Sequence, residues 1–298
     1  MATTGGILAR RTRGTWVRIR AAGFSTSRIT SRMTSRMTGQ IAKRWRLVQT
    51  GLSFALFGAV VLGLGFIAIP MSGWFARGPE SDELRAQRWV HRGTRFFVGF
   101  MKGIGLLRLD LVNVERLRAG GPLLLIANHP TLIDLVVIAS LMPQLDCIVS
   151  GAWVENAFLR RTVVAAGYVC SDDGGSVVRA CLRHLQAGRS VIVFPEGTRS
   201  PPGGLRDFQA GAAFVGLRSG HSLVPVFMTC VPSALTKGRS WYDVPAEQVH
   251  MTVRVGEPVT PQPVRYRGVT LPEAARRLTA ELREVFLKGL DIADVGTA

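Results

Sequence analysis

The sequence predicts an α/β fold: a mixed, mainly parallel sheet flanked by helices, behind an N-terminal hydrophobic membrane-anchoring helical segment. Three observations predict it. Residues 47–76 contain no charged side chain. Residues 82–107 combine an arginine stripe with an aromatic one. From about residue 108 onward, short apolar runs alternate with helical patterns, as they do in layered α/β domains.

Charge is unevenly spread. The 298 residues carry a net charge of +17, but residues 1–46 alone hold eleven Arg and Lys and no acid. The remainder has 26 basic and 20 acidic residues, so the extreme basicity belongs to the N-terminus. An acid-free, Arg- and Ser-rich stretch fits a transit peptide, a solvated basic tail, or sequence upstream of a start at Met33 or Met37. The domain reading taken is a basic disordered tail over 1–46. Nucleic-acid binding would rest on that tail alone, and no zinc, RNP or helix-turn-helix pattern accompanies it.

Residues 47–76 follow as a hydrophobic membrane segment. Over Leu47–Ile69 only Gln49, Thr50 and Ser53 are polar. A helix of that length rises about 34 Å, enough to cross a hydrocarbon core. Trp45 and Trp74 flank it, where indoles favour the lipid boundary. Basic residues stand on both sides, so charge does not choose an orientation. A hairpin bent near Gly63–Gly65 or Pro70 would dip into one leaflet and keep the rest of the chain in the cytosol.

Residues 77–107 contain an amphipathic interfacial helix. A 100° wheel sets Arg85, Arg88, Arg92, Arg95 and Lys102 on one arc. Trp89, Val90, Phe96, Phe97, Phe100, Met101 and Ile104 fall on another. Such a helix suits an anionic bilayer surface or packs its aromatic face on the domain.

Residues 108–298 form the remaining domain. Pro122–Ala127 reads as a buried strand, with Thr131 as N-cap of a helix over residues 132–141. A helix over Ser176–Ala187 leads into a strand at Ser190–Phe194. Further strands are expected at Leu223–Cys230 and Val249–Val255. Thr270 and Glu273 have the spacing of a capping box with an early proline. The cysteines Cys147, Cys170, Cys181 and Cys230 have no paired spacing and read as reduced thiols. The five histidines are scattered, so no metal site is expected.

Two blocks carry chemistry. In Asn128-His129-Pro130-Thr131-Leu132-Ile133-Asp134, His129 leaves a buried strand and Asp134 enters the next helix. Asp134 can hold one imidazole nitrogen while the other takes a proton from a hydroxyl. In Phe194-Pro195-Glu196-Gly197-Thr198-Arg199-Ser200 a strand runs into a loop, where open α/β sheets place their sites. Gly197 permits close backbone approach, and Arg199 offers a forked cation.

In this order, with Gly204-Leu205-Arg206-Asp207-Phe208 following, these blocks closely resemble the glycerolipid acyltransferase family over about residues 105–260. The resemblance implies a lyso-lipid O-acyltransferase with no cofactor. Acyl-CoA or acyl-carrier protein would be the donor, and a 1-acyl-sn-glycerol-3-phosphate-type lyso-lipid the acceptor. It implies His129 as general base, oriented by Asp134, and Glu196, Gly197, Thr198 and Arg199 as the acceptor site. Val224-Pro225-Val226 resembles the family's block near the acyl donor. The expected location is a bacterial inner membrane, with the catalytic domain facing the cytoplasm.

The chain departs from the family pattern in two places. Asp172–Asp173 stand where the family's second block usually ends in arginine, and Gln209 stands where many members have lysine. A lyso-ornithine or other non-phosphate lyso-lipid is therefore an alternative acceptor. Readings from other classes are a non-catalytic membrane lipid-binding protein and a covalent mechanism through Cys170 and His129.

Overall fold

Unbroken apolar runs without helical periodicity become the strands of one seven-stranded sheet. In chain order these are β1 (Leu107–Val112), β2 (Leu124–Ala127), β3 (Asp146–Val149), β4 (Val169–Cys170), β5 (Val191–Val193), β6 (Leu223–Val231) and β7 (Val249–Val255). The spatial order is β1-β7-β6-β2-β5-β3-β4, which places the fully buried β2 at the centre. Pairing is parallel except between β6 and β7, so β1 and β7 run against the other five strands. The computed structural model describes residues 26–74, 81–118, 120–170, 174–262, 266 and 268–291, of which 26–39 by backbone alone.

Helices cover both faces. α3 (Asp82–Gly103) and α4 (Asp134–Ala139) pack on one side; α7 (Gly174–Gln186), α8 (Gly211–Ser219) and α9 (Leu271–Gly289) pack on the other. The two-residue alternation of a strand divides β2 between the two cores. Leu125 and Ala127 join Val137 and Ile138 of α4. Leu124 and Ile126 join Cys181 of α7 and Phe286 of α9.

The chain separates into two units, residues 1–40 and 41–298. Helix α1 (Thr26–Gly63) continues through a π-helical turn at Leu64–Ala68 into α2 (Ile69–Trp74). Residues 1–25 of the expected disordered tail lie outside the described residues. From Thr26 the backbone is helical, and between Thr26 and Arg46 no proline and a single glycine interrupt it.

Within the helix Gln40–Trp74 the most apolar 18-residue stretch has mean hydropathy 2.5. Its three polar breaks explain its attachment. Gln49, Thr50 and Ser53 are all buried, on the face turned toward the domain. Gln49 donates to the Ile104 carbonyl and Arg46 to the Gly105 carbonyl. Farther along, Phe57 stacks on Phe97 at 5.3 Å. A side chain at Gly93 would meet Leu64 at 2.8 Å and Val60 at 3.1 Å. Beyond these, α6 (Arg160–Ala165) offers Thr162, which donates to the Val61 carbonyl at 3.2 Å. Ile41, Trp45, Val48, Leu52, Phe66 and Ile67 remain exposed on the outer face. The result is two helices, α1 and α3, running antiparallel along one flank of the sheet domain.

The structure corrects several local expectations. α3 stops at Gly103, and β1 takes up Leu107. Val90, Phe97 and Met101 are buried as the wheel requires, but Phe96 is 60% exposed beside the arginine stripe. Thr131 does not cap a helix. That helix begins at Asp134, and the Thr131 hydroxyl instead accepts from the Ile133 amide and donates to Asp134. The Thr270–Glu273 box also fails to close, because Glu273 accepts from Arg276 and Arg277 of its own helix.

Candidate active site

β2 ends by handing its hydrogen bonding to a side chain. The Asn128 amide donates to the Met228 carbonyl and accepts from the Met228 amide, both at 2.8 Å. It thereby replaces one backbone pair in the β2–β6 ladder, and the main chain is free to turn outward at His129. The turn lies at the C-terminal ends of the parallel strands β2, β5 and β6, where sheets of this kind open a crevice.

His129 is held from three sides. Its Nδ1 lies 2.7 Å from Asp134 Oδ2. Its ring stacks on Phe194 at 4.5 Å. Its backbone amide donates toward Glu196 Oε1 at 3.2 Å and Ser200 Oγ at 3.1 Å, and its carbonyl accepts from the Ser200 amide at 2.7 Å. The side chain is 22% exposed, whereas Asp134 is fully buried. Burial pushes the Asp134 carboxyl above its ordinary value, while hydrogen bonds from His129 and from the amide and hydroxyl of Thr131 pull it back down. An ionised Asp134 accepts from Nδ1–H. In a neutral imidazole a proton on Nδ1 leaves Nε2 as the acceptor.

Glu196, expected at the acceptor site, is buried and fully engaged by neighbouring groups. It is 5% exposed. Oε1 receives His129 N and Ser200 Oγ, and Oε2 receives the Arg206 amide at 2.9 Å. The carboxylate thus ties the two sequence blocks together beneath the histidine. Gly197 has φ +63, and a Cβ there would fall 2.7 Å from Gln209 Nε2. Gln209, where the family pattern led us to look for a lysine, is therefore packed under the Gly197 turn. Thr198 is half-buried. Arg199 reaches across to donate to the Leu235 carbonyl at 2.7 Å. Val224, Pro225 and Val226 lie in the middle of β6, with Val224 and Val226 buried; it is the strand's far end, Met228–Val231, that reaches the site. Asp172 and Asp173 lie outside the described residues.

Two cavities lie near this turn, lined by neighbours of His129 though not by His129 itself. The first is almost wholly apolar. Thr131, Leu132 and Ile133 form its inner end, Phe57, Phe97 and Met101 its side, and Arg46, Thr50, Ser53 and Phe54 of α1 another wall. The second, about 630 Å³ and more polar, is lined by Asn128, Pro130, the 200–205 loop, the end of β6 and Arg283. Cys230 borders both. Burial pushes its thiol up to about 11, which keeps it protonated and poorly nucleophilic at neutral pH. Cys147, Cys181 and Cys230 are in no disulfide. Among the described residues no three His, Cys, Asp or Glu side chains converge to hold a metal ion.

The fold is an α/β sheet with a histidine–aspartate pair at its carboxyl edge. Residues 108–229 match the family model described as Acyltransferase. The 1-acyl-sn-glycerol-3-phosphate acyltransferase of Helicobacter pylori is 24% identical over 155 residues, covering 50% of this chain and 60% of that protein. The human 1-acyl-sn-glycerol-3-phosphate acyltransferase beta is also 24% identical over 155 residues, covering 46% and 50%. The chain thus spans about half the length of the curated relatives it matches. The crystal structure of the 1-acyl-sn-glycerophosphate acyltransferase of Thermotoga maritima superposes with a TM-score of 0.64 at 18% identity, covering 85% of this chain and 99% of that one. This last likeness shows the shared fold.

Proposed function

We propose that this protein transfers a fatty acyl group from a thioester, acyl-CoA or acyl-carrier protein, to the free hydroxyl of a lyso-lipid. The reading rests on one observation above all: the His129–Asp134 pair, at 2.7 Å, brackets Thr131–Ile133, which line an apolar cavity that reaches the hydrophobic helix. His129 Nε2 takes the hydroxyl proton as the oxygen attacks the thioester carbonyl. The tetrahedral intermediate collapses, the C–S bond breaks, and the imidazolium returns the proton to the departing thiolate. The products are an ester and a free thiol, with no acyl-enzyme. Asp134 stabilises the transient imidazolium and fixes its tautomer. The apolar cavity suits an acyl chain, and the polar one suits the hydrophilic part of donor or acceptor.

The acceptor we favour is 1-acyl-sn-glycerol-3-phosphate or a close relative, as the names of the similar proteins indicate. Lyso-ornithine and other non-phosphate lyso-lipids stay in the test because Arg199 already serves the Leu235 carbonyl.

The same packing supports a membrane arrangement within one leaflet. Gly93 faces Val60 and Leu64, so the exposed Arg88, Arg92 and Arg95 of α3 stand level with the middle of the apolar helix. A full crossing by that helix would carry these arginines to the bilayer centre, at about 2.5–3.5 kcal/mol each on insertion scales. With the helix pair lying in the interface, its apolar outer face meets the chains while the arginines meet anionic headgroups.

Labelled acyl-CoA and acyl-carrier protein, offered with a panel of lyso-lipids to membranes containing the protein, test the assignment. One acylated acceptor identifies the substrate. Silence across both donors and the whole panel from folded protein contradicts the reading and favours a lipid-binding protein without turnover.

A further inference from the structure

Between β6 and β7 the chain makes an excursion over residues 232–248 that the sheet does not need. It folds back over the start of the hydrophobic helix. The Trp241 ring packs edge-on against Phe54 at 5.9 Å and against Tyr242 at 5.8 Å. It also comes within 3.8 Å of the position a Gly51 side chain would take. Both rings are nevertheless left largely in the open, Trp241 48% and Tyr242 59% exposed. They extend an exposed apolar surface already formed by Ile41, Trp45, Val48 and Leu52 of α1. Lys237 and Arg239 are exposed on the same loop, and Arg239 is paired with Asp243 at 3.2 Å.

The next residues of the loop do something different. Asp243, Val244, Pro245 and Glu247 line the apolar cavity near the His129 turn, facing Arg46, Thr50, Ser53 and Phe54 of α1 across it. One short segment thus carries exposed aromatics on the outside and part of a buried apolar wall on the inside. Tryptophan and tyrosine with neighbouring cations are the side chains that settle at the headgroup boundary of an anionic bilayer.

We propose that the 236–247 loop is a second membrane-contacting element, seated in an anionic lipid surface through Trp241 and Tyr242. The seam between it and α1 is the lateral entry by which an acyl chain passes from the bilayer into the cavity. The entry role rests on the acyltransferase reading above; the lipid contact does not. Continuity with the outer face of α1 sets the side on which the loop meets lipid; the exposed Lys237 is the cation the loop offers to headgroups, since Arg239 is paired with Asp243. The arrangement lets a chain reach Thr131–Ile133, next to His129, through a mainly apolar cavity.

The test uses the full chain in phosphatidylglycerol–phosphatidylcholine vesicles, with and without brominated acyl chains. The emission difference between the wild type and Trp241→Phe reports Trp241 without requiring turnover. Brominated chains should quench that difference; an unquenched difference overturns the lipid contact. The kinetic arm compares wild type with a Trp241→Ser, Tyr242→Ser double variant. Turnover of vesicle-embedded long-chain acceptor should fall about tenfold, as expected when interfacial aromatic area is lost, while turnover of a monomeric short-chain acceptor stays level. Trp241→Phe with Tyr242→Phe should restore the vesicle rate. An equal loss on both acceptors would overturn the entry role and mark the loop as structural support.

Discussion

Asn128 and Met228 face each other across the ends of β2 and β6, and each donates one 2.8 Å hydrogen bond to the other. The pair lets the sheet continue for one more step while the backbone of β2 departs toward His129. Replacing Asn128 by Ala leaves the buried Met228 amide and carbonyl without these partners, at about 1–3 kcal/mol. Asn128→Ala should therefore lower thermal stability and acyl transfer together. Asn128→Asp should be no better, because a carboxylate cannot donate to the Met228 carbonyl. Thermal melts beside rate measurements check both.

Asp134 carries opposite consequences for activity and stability. An aspartate whose folded pKa is raised is harder to ionise in the fold than in the unfolded chain, where its pKa is about 3.9. Its net contribution to stability is therefore lost as pH rises from the unfolded value through the folded one. Asp134→Asn removes that loss while retaining an acceptor for Thr131. At pH 7 the variant should melt no lower than the wild type, and the wild type should gain on it as pH falls toward 4. Turnover of the variant should still drop by about 10²–10⁴, because the base loses its orienting partner. A lower melting temperature at pH 7 would contradict this account.

Glu196 binds His129, Ser200 and the Arg206 amide at once. In Glu196→Gln one of these donors would face an NH₂ group, at about 1–3 kcal/mol. The loss should appear mainly in kcat and in stability, since the carboxylate positions the histidine loop. A change confined to the KM for acceptor would return Glu196 to a direct substrate role.

Gly93 is where α3 and the hydrophobic helix approach most closely. Gly93→Ala meets the flexible end of Leu64 and the stiffer branch of Val60, and should be tolerated better than a larger side chain. Gly93→Leu should wedge the helices apart, at roughly 1–3 kcal/mol. Limited proteolysis between residues 40 and 80 should accelerate more in the Leu variant than in the Ala variant.

Much of this architecture is legible in the sequence because strands and pattern agree. β7 matches its expected span because apolar residues alternate strictly from Val249 to Val255. The His129–Asp134 pairing follows from a strand, a short turn and a helix start. Other features depend on neighbours that periodicity cannot reveal. Phe96 turns outward because the α1 side of α3 is already filled by Val90, Phe97 and Met101. Thr131 looks like a cap until Asp134, three residues on, claims its hydroxyl. Glu196 looks like a ligand-binding acid because its partners are two backbone amides and a serine, none of which marks itself in sequence. Gln49, Thr50 and Ser53 look like flaws in a membrane segment, yet they trace the stripe that binds it to the domain.

A direct transfer mechanism also predicts the absence of a covalent intermediate. Protein incubated with labelled donor alone should carry no stable acyl group on any cysteine, in keeping with the raised thiol of Cys230. Mass spectrometry of the intact chain after brief exposure to donor decides this.

The central claim is that His129 is the general base, and it is met most directly by the rate of His129→Ala beside wild type, with donor and acceptor both saturating. Removal of a positioned base should cost about 10²–10⁴ in turnover, with the protein still folded and still bound to membranes. Transfer by His129→Ala within a few-fold of wild type would contradict the account.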